Sequence, residues 1–182
     1  MPDEDYCASF FHPEGVLDRL LDASGSDCNM VEFGCGYGTF TLPAAKRTRG
    51  LVTALDIEPA MVRLVAQRAK AESLSNVHAE VRDFVEHGTG LADRSQGHAM
   101  VFNLLHIEAP VALIREAFRV LQPGGVLSVI HWRSDIEGFT RFRRIFRRPT
   151  GSLRCARIGQ TLDCVHRDLG LLAVRHTCLF TH

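Results

Sequence analysis

The sequence predicts an α/β domain built on a doubly wound, mainly parallel sheet with helices on both faces. Three observations predict it. Strand-like and helix-like segments alternate regularly up to residue 132, the pattern of parallel strands joined by crossover helices. The strand-like segments are mostly continuous apolar runs, as expected of strands covered on both faces. A glycine-rich turn, "GCGYG", stands between the first of those strands and the helix after it.

The elements follow in order. "HPEGVLDRLLDA" places Val16, Leu17, Leu20 and Leu21 at helical spacing, with Pro13 near its start, where a missing N–H costs nothing. "NMVEF" predicts a short buried strand, and "FTLPAAKRT" a helix beyond the glycines. "LVTALD" predicts a second strand. "EPAMVRLVAQRAKAE" predicts a helix that starts at Pro59 and carries Met61, Val62, Val65 and Ala69 on one face. "VHAEVRD" and "HAMVFN" predict strands three and four. "APVALIREAFRVL" predicts an amphipathic helix stopped by "QPGG", and "VLSVIHW" the fifth strand. Beyond Trp132 the periodicity weakens. "QTLDCVHRDLG" is compatible with a helix ending at Gly170, and "LLAVRHTCLF" with a last strand.

Length and composition fit one domain over residues 1–182. An apolar share of 46% and a charged share of 23% are ordinary for a globular chain. No uncharged apolar run of about 18 residues or more occurs, so no membrane-spanning helix is expected. The acidic start "MPDEDYCASFF" is unlike a secretory signal. The six cysteines (7, 28, 35, 155, 164 and 178) form no CxxC pair. Reduced thiols in a cytoplasm are the expectation. The nine histidines show no ligand spacing, so no metal site is expected. The zero net charge is uneven: residues 133–182 hold ten arginines and four acids. Such a run reads either as a solvated surface or as a phosphate-binding patch.

Chemistry concentrates at the predicted C-terminal ends of the strands. Gly34, Gly36 and Gly38 form the first strand-to-helix turn, where glycine lets the backbone approach a ligand. The spacing Glu32-x-Gly34-x-Gly36-x-Gly38 does not match the dinucleotide fingerprint GxGxxG, which disfavours a nicotinamide oxidoreductase. Asp56 closes the second strand 18 residues after Gly38, where a carboxylate can accept both hydroxyls of a ribose. Asp83 closes "VRD" on the same edge of the sheet.

Taken together, "VEFGCGYG", "ALDIEPAMV", "AEVRDF", "HAMVFNLLH" and "VLQPGGVLSVIHW" resemble the class I S-adenosylmethionine-dependent methyltransferases, in the right order, over roughly residues 10–132. The likeness is to small-molecule-type members with an LxPGG turn. The resemblance implies a Rossmann-like fold, S-adenosyl-L-methionine as cofactor, and in-line methyl transfer to a small-molecule acceptor. It implies that Glu32 orients the glycine turn near the cofactor's ammonium group and that Gly34, Gly36 and Gly38 line its methionine and ribose. It gives Asp56 the ribose hydroxyls, Ile57 and Met61 the adenosine, Asp83 the adenine amino group and Phe84 the ring face. Asn103 would face the methionine group or the substrate. His106, in "NLLH", would lie near the transferred methyl as general base. His131 and Trp132 would wall the substrate pocket, and His12, with Tyr6, Phe10 and Phe11, would belong to an N-terminal lid within residues 1–28.

Simpler roles compete at several positions. Met61 and Phe84 suit plain core packing, Asp83 a helix cap, and His106 a capped loop. His98 stands where the family usually carries an aspartate, a structural position. The family's sheet closes with two antiparallel strands, whereas "LLAVRHTCLF" supplies one. The C-terminal antiparallel part is therefore expected to be shortened, with an open edge through which two copies could pair. Two alternatives stay open: a non-catalytic protein that keeps the cofactor fold, and a methyltransferase acting on nucleic acid through the arginine-rich segment. The absence of "NPPY" at strand four counts against the second.

Overall fold

A computed structural model of the chain describes residues 12–21, 27–132 and 171–177. The elements are α1 (Pro13–Leu20), β1 (Met30–Phe33), α2 (Thr41–Ala45), β2 (Val52–Asp56) and α3 (Pro59–Ala71). They continue with β3 (Val77–Val81), β4 (Gln96–Phe102), α4 (Pro110–Val120), β5 (Leu121–Trp132) and β6 (Leu171–Thr177). The strands form one sheet in the order β3-β2-β1-β4-β5-β6. β1 to β5 are mutually parallel, and β6 runs antiparallel to β5. The doubly wound expectation holds, and among the described residues one antiparallel strand, β6, extends the sheet. From β1 the chain winds outward through β2 and β3, then returns to place β4 on the other side of β1. That reversal opens a crevice above the C-terminal ends of β1 and β4.

Strand parity assigns the two faces. Met30, Met100, Phe102 and Ile130 pack with Leu17 and Leu20 of α1 and Ala44 of α2. Val31, Phe33, Val101, Leu127 and Val129 point the other way, against Leu113 and Ala117 of α4. β1 and β2 are buried along their whole lengths. Their continuous apolar runs thus reflect cover on both faces. β3 is an edge strand of intermediate and exposed residues. His78 and Glu80 on it are charged or polar, which discourages pairing with another chain.

Four local expectations are corrected. α2 spans five residues, shorter than "FTLPAAKRT". Asn76 Nδ2 donates to the carbonyl of the last α2 residue, Ala45, and to those of Thr48 and Gly50 beyond it, at 2.9–3.1 Å, which holds the chain after Ala45 in a turn. β5 begins at Leu121, so "QPGG" lies within the strand instead of before it. Leu121 pairs with Gln96, and the ladder shifts register before His98 meets Val126. The glycines therefore make a bulge in place of a stop. Asp83 and Asn103 lie just beyond the ends of β3 and β4. Met61 is only half-buried, while Val62, Val65 and Ala69 form the packed face of α3.

His12 caps α1, its Nδ1 accepting the Gly15 N–H at 3.2 Å. Tyr6, Phe10, Phe11 and the helix expected before Gly170 lie outside the described residues. His98 is buried in β4 and its Nε2 lies 2.8 Å from the Ser128 hydroxyl on β5, the structural role expected of that position.

Candidate cofactor-binding site

The glycine turn sits at the crevice. Gly34, Gly36 and Gly38 all have positive φ, at 70°, 50° and 80°. An L-residue pays a steric penalty there, which explains glycine at every second position. Space decides as well at two of them. A Cβ on Gly34 would come within 3.0 Å of Leu104, and one on Gly38 within 3.1 Å of Val65. The turn is moored from three sides. Leu55 O accepts the N–H groups of Gly34 and Cys35 at 2.8 and 2.9 Å. Gly38 N–H donates to Cys35 O at 2.9 Å. Arg68 of α3 donates to the Tyr37 carbonyl at 2.9 Å.

Two carboxylates meet beneath this turn. Glu32 pairs across the sheet with Ala54. Asp56 lies two residues beyond Ala54 on the same strand, so the two acids share one face as diagonal neighbours. Asp56 is buried and aimed by the backbone: its Oδ2 accepts the Gly36 N–H at 2.8 Å, and its Oδ1 the Glu58 N–H at 3.0 Å. A buried acid closing a strand needs partners, and two main-chain amides supply them. Lone pairs remain on both oxygens for further donors.

Glu32 is buried to 2% exposure and accepts a hydrogen bond from the Thr41 hydroxyl, on the first residue of α2. Burial pushes its carboxyl up to about 8, against the opposing effect of Thr41, and the neighbouring Asp56 charge pushes it the same way. Burial also raises the Cys35 thiol, with Glu32 and Asp56 adding to the effect. Cys35 is thus an inert packing residue, not a nucleophile. The Asp56 carboxylate makes the local field at the turn negative. It suits a cationic or hydroxyl-bearing ligand and repels a pyrophosphate.

The other predicted residues distribute around this centre. Ile57, next to Asp56, is 58% exposed, and Met61 stands one turn into α3. Asp83 acts as a cap: its Oδ1 accepts the N–H groups of Val85 and Glu86 at 3.1 and 2.9 Å. Phe84 is 7% exposed and stacks edge-on to Phe33 at 5.3 Å, so most of its surface belongs to the core. Asn103 holds the left-handed conformation, φ 53°, with its N–H on the Ile130 carbonyl at 2.7 Å. Its Oδ1 is buried and has no hydrogen-bond partner among the described residues. His106 is exposed on the turn that follows β4. The structure therefore gathers Glu32, the three glycines and Asp56 tightly at one point. Asp83, Phe84, Asn103 and His106 follow the ends of the flanking strands.

The amino-acid sequence matches, over residues 30–125, the profile of a family described as a methyltransferase domain. The chain belongs to the class I S-adenosylmethionine-dependent methyltransferases. The chain is 34% identical over 114 residues to the ubiquinone biosynthesis O-methyltransferase of Xanthomonas oryzae pv. oryzae, covering 61% of this chain and 45% of that protein. It is 37% identical over 73 residues to the 23S rRNA (uracil(1939)-C(5))-methyltransferase of Alcanivorax borkumensis, covering 40% and 16%. The chain thus spans less than half the length of these curated relatives. A crystal structure of a SAM-dependent methyltransferase from Aquifex aeolicus superposes with a TM-score of 0.71, at 18% identity, over 97% of this chain and 95% of that one. At that identity the likeness speaks for the fold. S-adenosylmethionine is the cofactor of the family, and the paired acids beneath a bare backbone fit it: the molecule brings an ammonium, a sulfonium and ribose hydroxyls. No helix among the described residues is long and apolar enough to cross a membrane.

Sequence reading missed three contributors. Thr41 holds Glu32, Arg68 holds the turn, and Leu104 packs under Gly34. Only Thr41 carried a signal, as a hydroxyl three residues past Gly38 in the otherwise apolar "FTL".

Proposed function

We propose that the protein transfers a methyl group from S-adenosylmethionine to a small-molecule acceptor. The observation that carries this reading is the pairing of Glu32 and Asp56 on one sheet face under the glycine turn. Asp56 is already oriented by Gly36 and Glu58, and in this reading it accepts the ribose hydroxyls. Glu32 faces the cofactor's ammonium. Ile57, Met61 and Asp83 border the adenosine, and Phe84 offers the edge it leaves uncovered. S-adenosylmethionine supplies an electrophilic methyl, so the residues of this chain have chiefly to orient the acceptor and exclude water.

Asn103 and His106 stand past β4, at the crevice, and are assigned to the acceptor side. An unpartnered buried amide oxygen is costly, and a strained left-handed residue is retained where function requires it. His106 is assigned to take the proton released when a hydroxyl or amine is methylated. Replacing His106 with alanine should lower turnover by about 10²–10⁴-fold, the usual contribution of a general base. Cofactor affinity should be unchanged, which direct binding measurements on the same variant would check.

The small acceptor is supported by the relative named for ubiquinone biosynthesis. The rRNA-directed relative and the ten arginines of residues 133–182 favour the nucleic-acid alternative. Incubation with methyl-labelled S-adenosylmethionine separates the two. Label should enter the dialysable fraction of a cell extract and be absent from added RNA. Label in RNA alone would reassign the acceptor, and no label anywhere with the cofactor bound would favour a non-catalytic protein.

A further inference from the structure

We propose that Thr41 is a positioning residue: its hydroxyl holds one oxygen of Glu32, so that a cation arriving at the turn displaces a proton from that carboxyl. The inference rests on the proposed cofactor reading and deepens it. Its basis is geometric. Glu32 lies on β1 with 2% exposure and Thr41 at the head of α2 with none. The Thr41 hydroxyl donates to Glu32 Oε2, and no bond to Oε1 is formed among the described residues. The titratable groups facing Glu32 are Asp56 from β2 and Cys35 from the turn. α2 contributes only Thr41, and β4 places Met100 at the paired position.

A buried carboxylate with one hydrogen bond and an acidic neighbour is poorly stabilised as an anion. Without a ligand, burial keeps the carboxyl at about 8, and it is protonated at neutral pH. A hydroxyl serves this group in both states, since it donates to the anion and accepts from the acid. The Thr41 side chain can therefore keep its place while the charge changes. When an ammonium group enters, the anion gains a partner and the O–H bond of Glu32 breaks. The proton leaves to buffer, and the electron pair stays on the carboxylate.

The test uses S-adenosylhomocysteine as probe and isothermal titration calorimetry in buffers of different ionisation enthalpy. At pH 7 the unmodified protein should release close to one proton per ligand bound, because a carboxyl at about 8 is then about nine-tenths protonated. Affinity should rise between pH 6 and 8, approaching tenfold per unit at the acid end. Thr41→Val removes the donor and keeps the shape. It should weaken binding at pH 7 by about tenfold or more and move the pH profile upward. Thr41→Ser should restore both to within a few-fold. Glu32→Gln should abolish the proton release. A heat independent of buffer in the unmodified protein, or a Thr41→Val profile equal to it in a folded variant, would overturn the inference alone. Absence of any binding by the unmodified protein would instead overturn the cofactor reading beneath it.

Discussion

Gly38 shows how finely single positions are set. Its φ of 80° strains any L-residue, and a Cβ there would stand 3.1 Å from Val65, which would have to shift by a few tenths of an ångström. Gly38→Ala should therefore destabilise the fold by about 1–3 kcal/mol, read as a lower denaturation midpoint in urea. Asn103 is the opposite case, since its own conformation is the costly one. Asn103→Gly removes both the left-handed penalty and the orphaned oxygen. Stability should stay level or rise by up to about 1 kcal/mol, while turnover falls. A variant that loses stability and keeps turnover would make Asn103 a structural residue. Glycine spacing and the acids Glu32 and Asp56 were legible in the sequence because turn chemistry and buried charge leave few alternatives. Thr41 was not, because a threonine at a helix start has many ordinary uses until its partner is seen in space.

At the scale of elements, the β3-to-β4 connection is pinned to α4 by one charged cluster. Glu116 accepts from the Thr89 amide and hydroxyl at 2.6 and 2.7 Å and from Arg119 at 2.7 Å. Arg119 also reaches Asp93 and the Leu91 carbonyl, at 2.5 and 2.9 Å. The Arg119 guanidinium, chiefly, holds the Glu116 carboxyl down at about 2 from an ordinary 4.5, with Thr89 assisting against partial burial. A depressed acid stabilises the fold above its unfolded value and ceases to do so as pH falls through its folded one. The Glu116 contribution should thus be complete above about 4.5 and fade between there and about 2. Urea midpoints for the unmodified protein and Glu116→Gln should converge across that window. Parallel curves would remove the cluster from the stability account. None of this was readable beforehand: "HGTGLADRS" has the composition of any loop, and its partners lie on α4 some 27 residues away. Element types were readable, since the periods of 2 and 3.6 differ plainly in this chain. Their ends were less so, because Asn76 and the Gln96–Leu121 bridge act across distances that local pattern does not register.

For the molecule as a whole, strand order fixes where function can lie. The sheet reverses direction of growth between β1 and β4, and the glycine turn, Glu32 and Asn103 stand on either side of that point. Alternation of apolar strands and helices predicted the wound sheet, and the motifs in their order predicted the family. The acceptor was not legible, because methyl transfer needs orientation more than a dedicated catalytic group. The central claim is that Glu32, Asp56 and the glycines form one S-adenosylmethionine site. Its most direct test is the equilibrium binding of S-adenosylhomocysteine to the unmodified protein and to Asp56→Ala. One ligand per chain should bind, with affinity at least about tenfold lower in the variant, since a buried acceptor of two hydroxyls is lost. No binding to the folded, unmodified protein, or equal binding by both, would contradict the account.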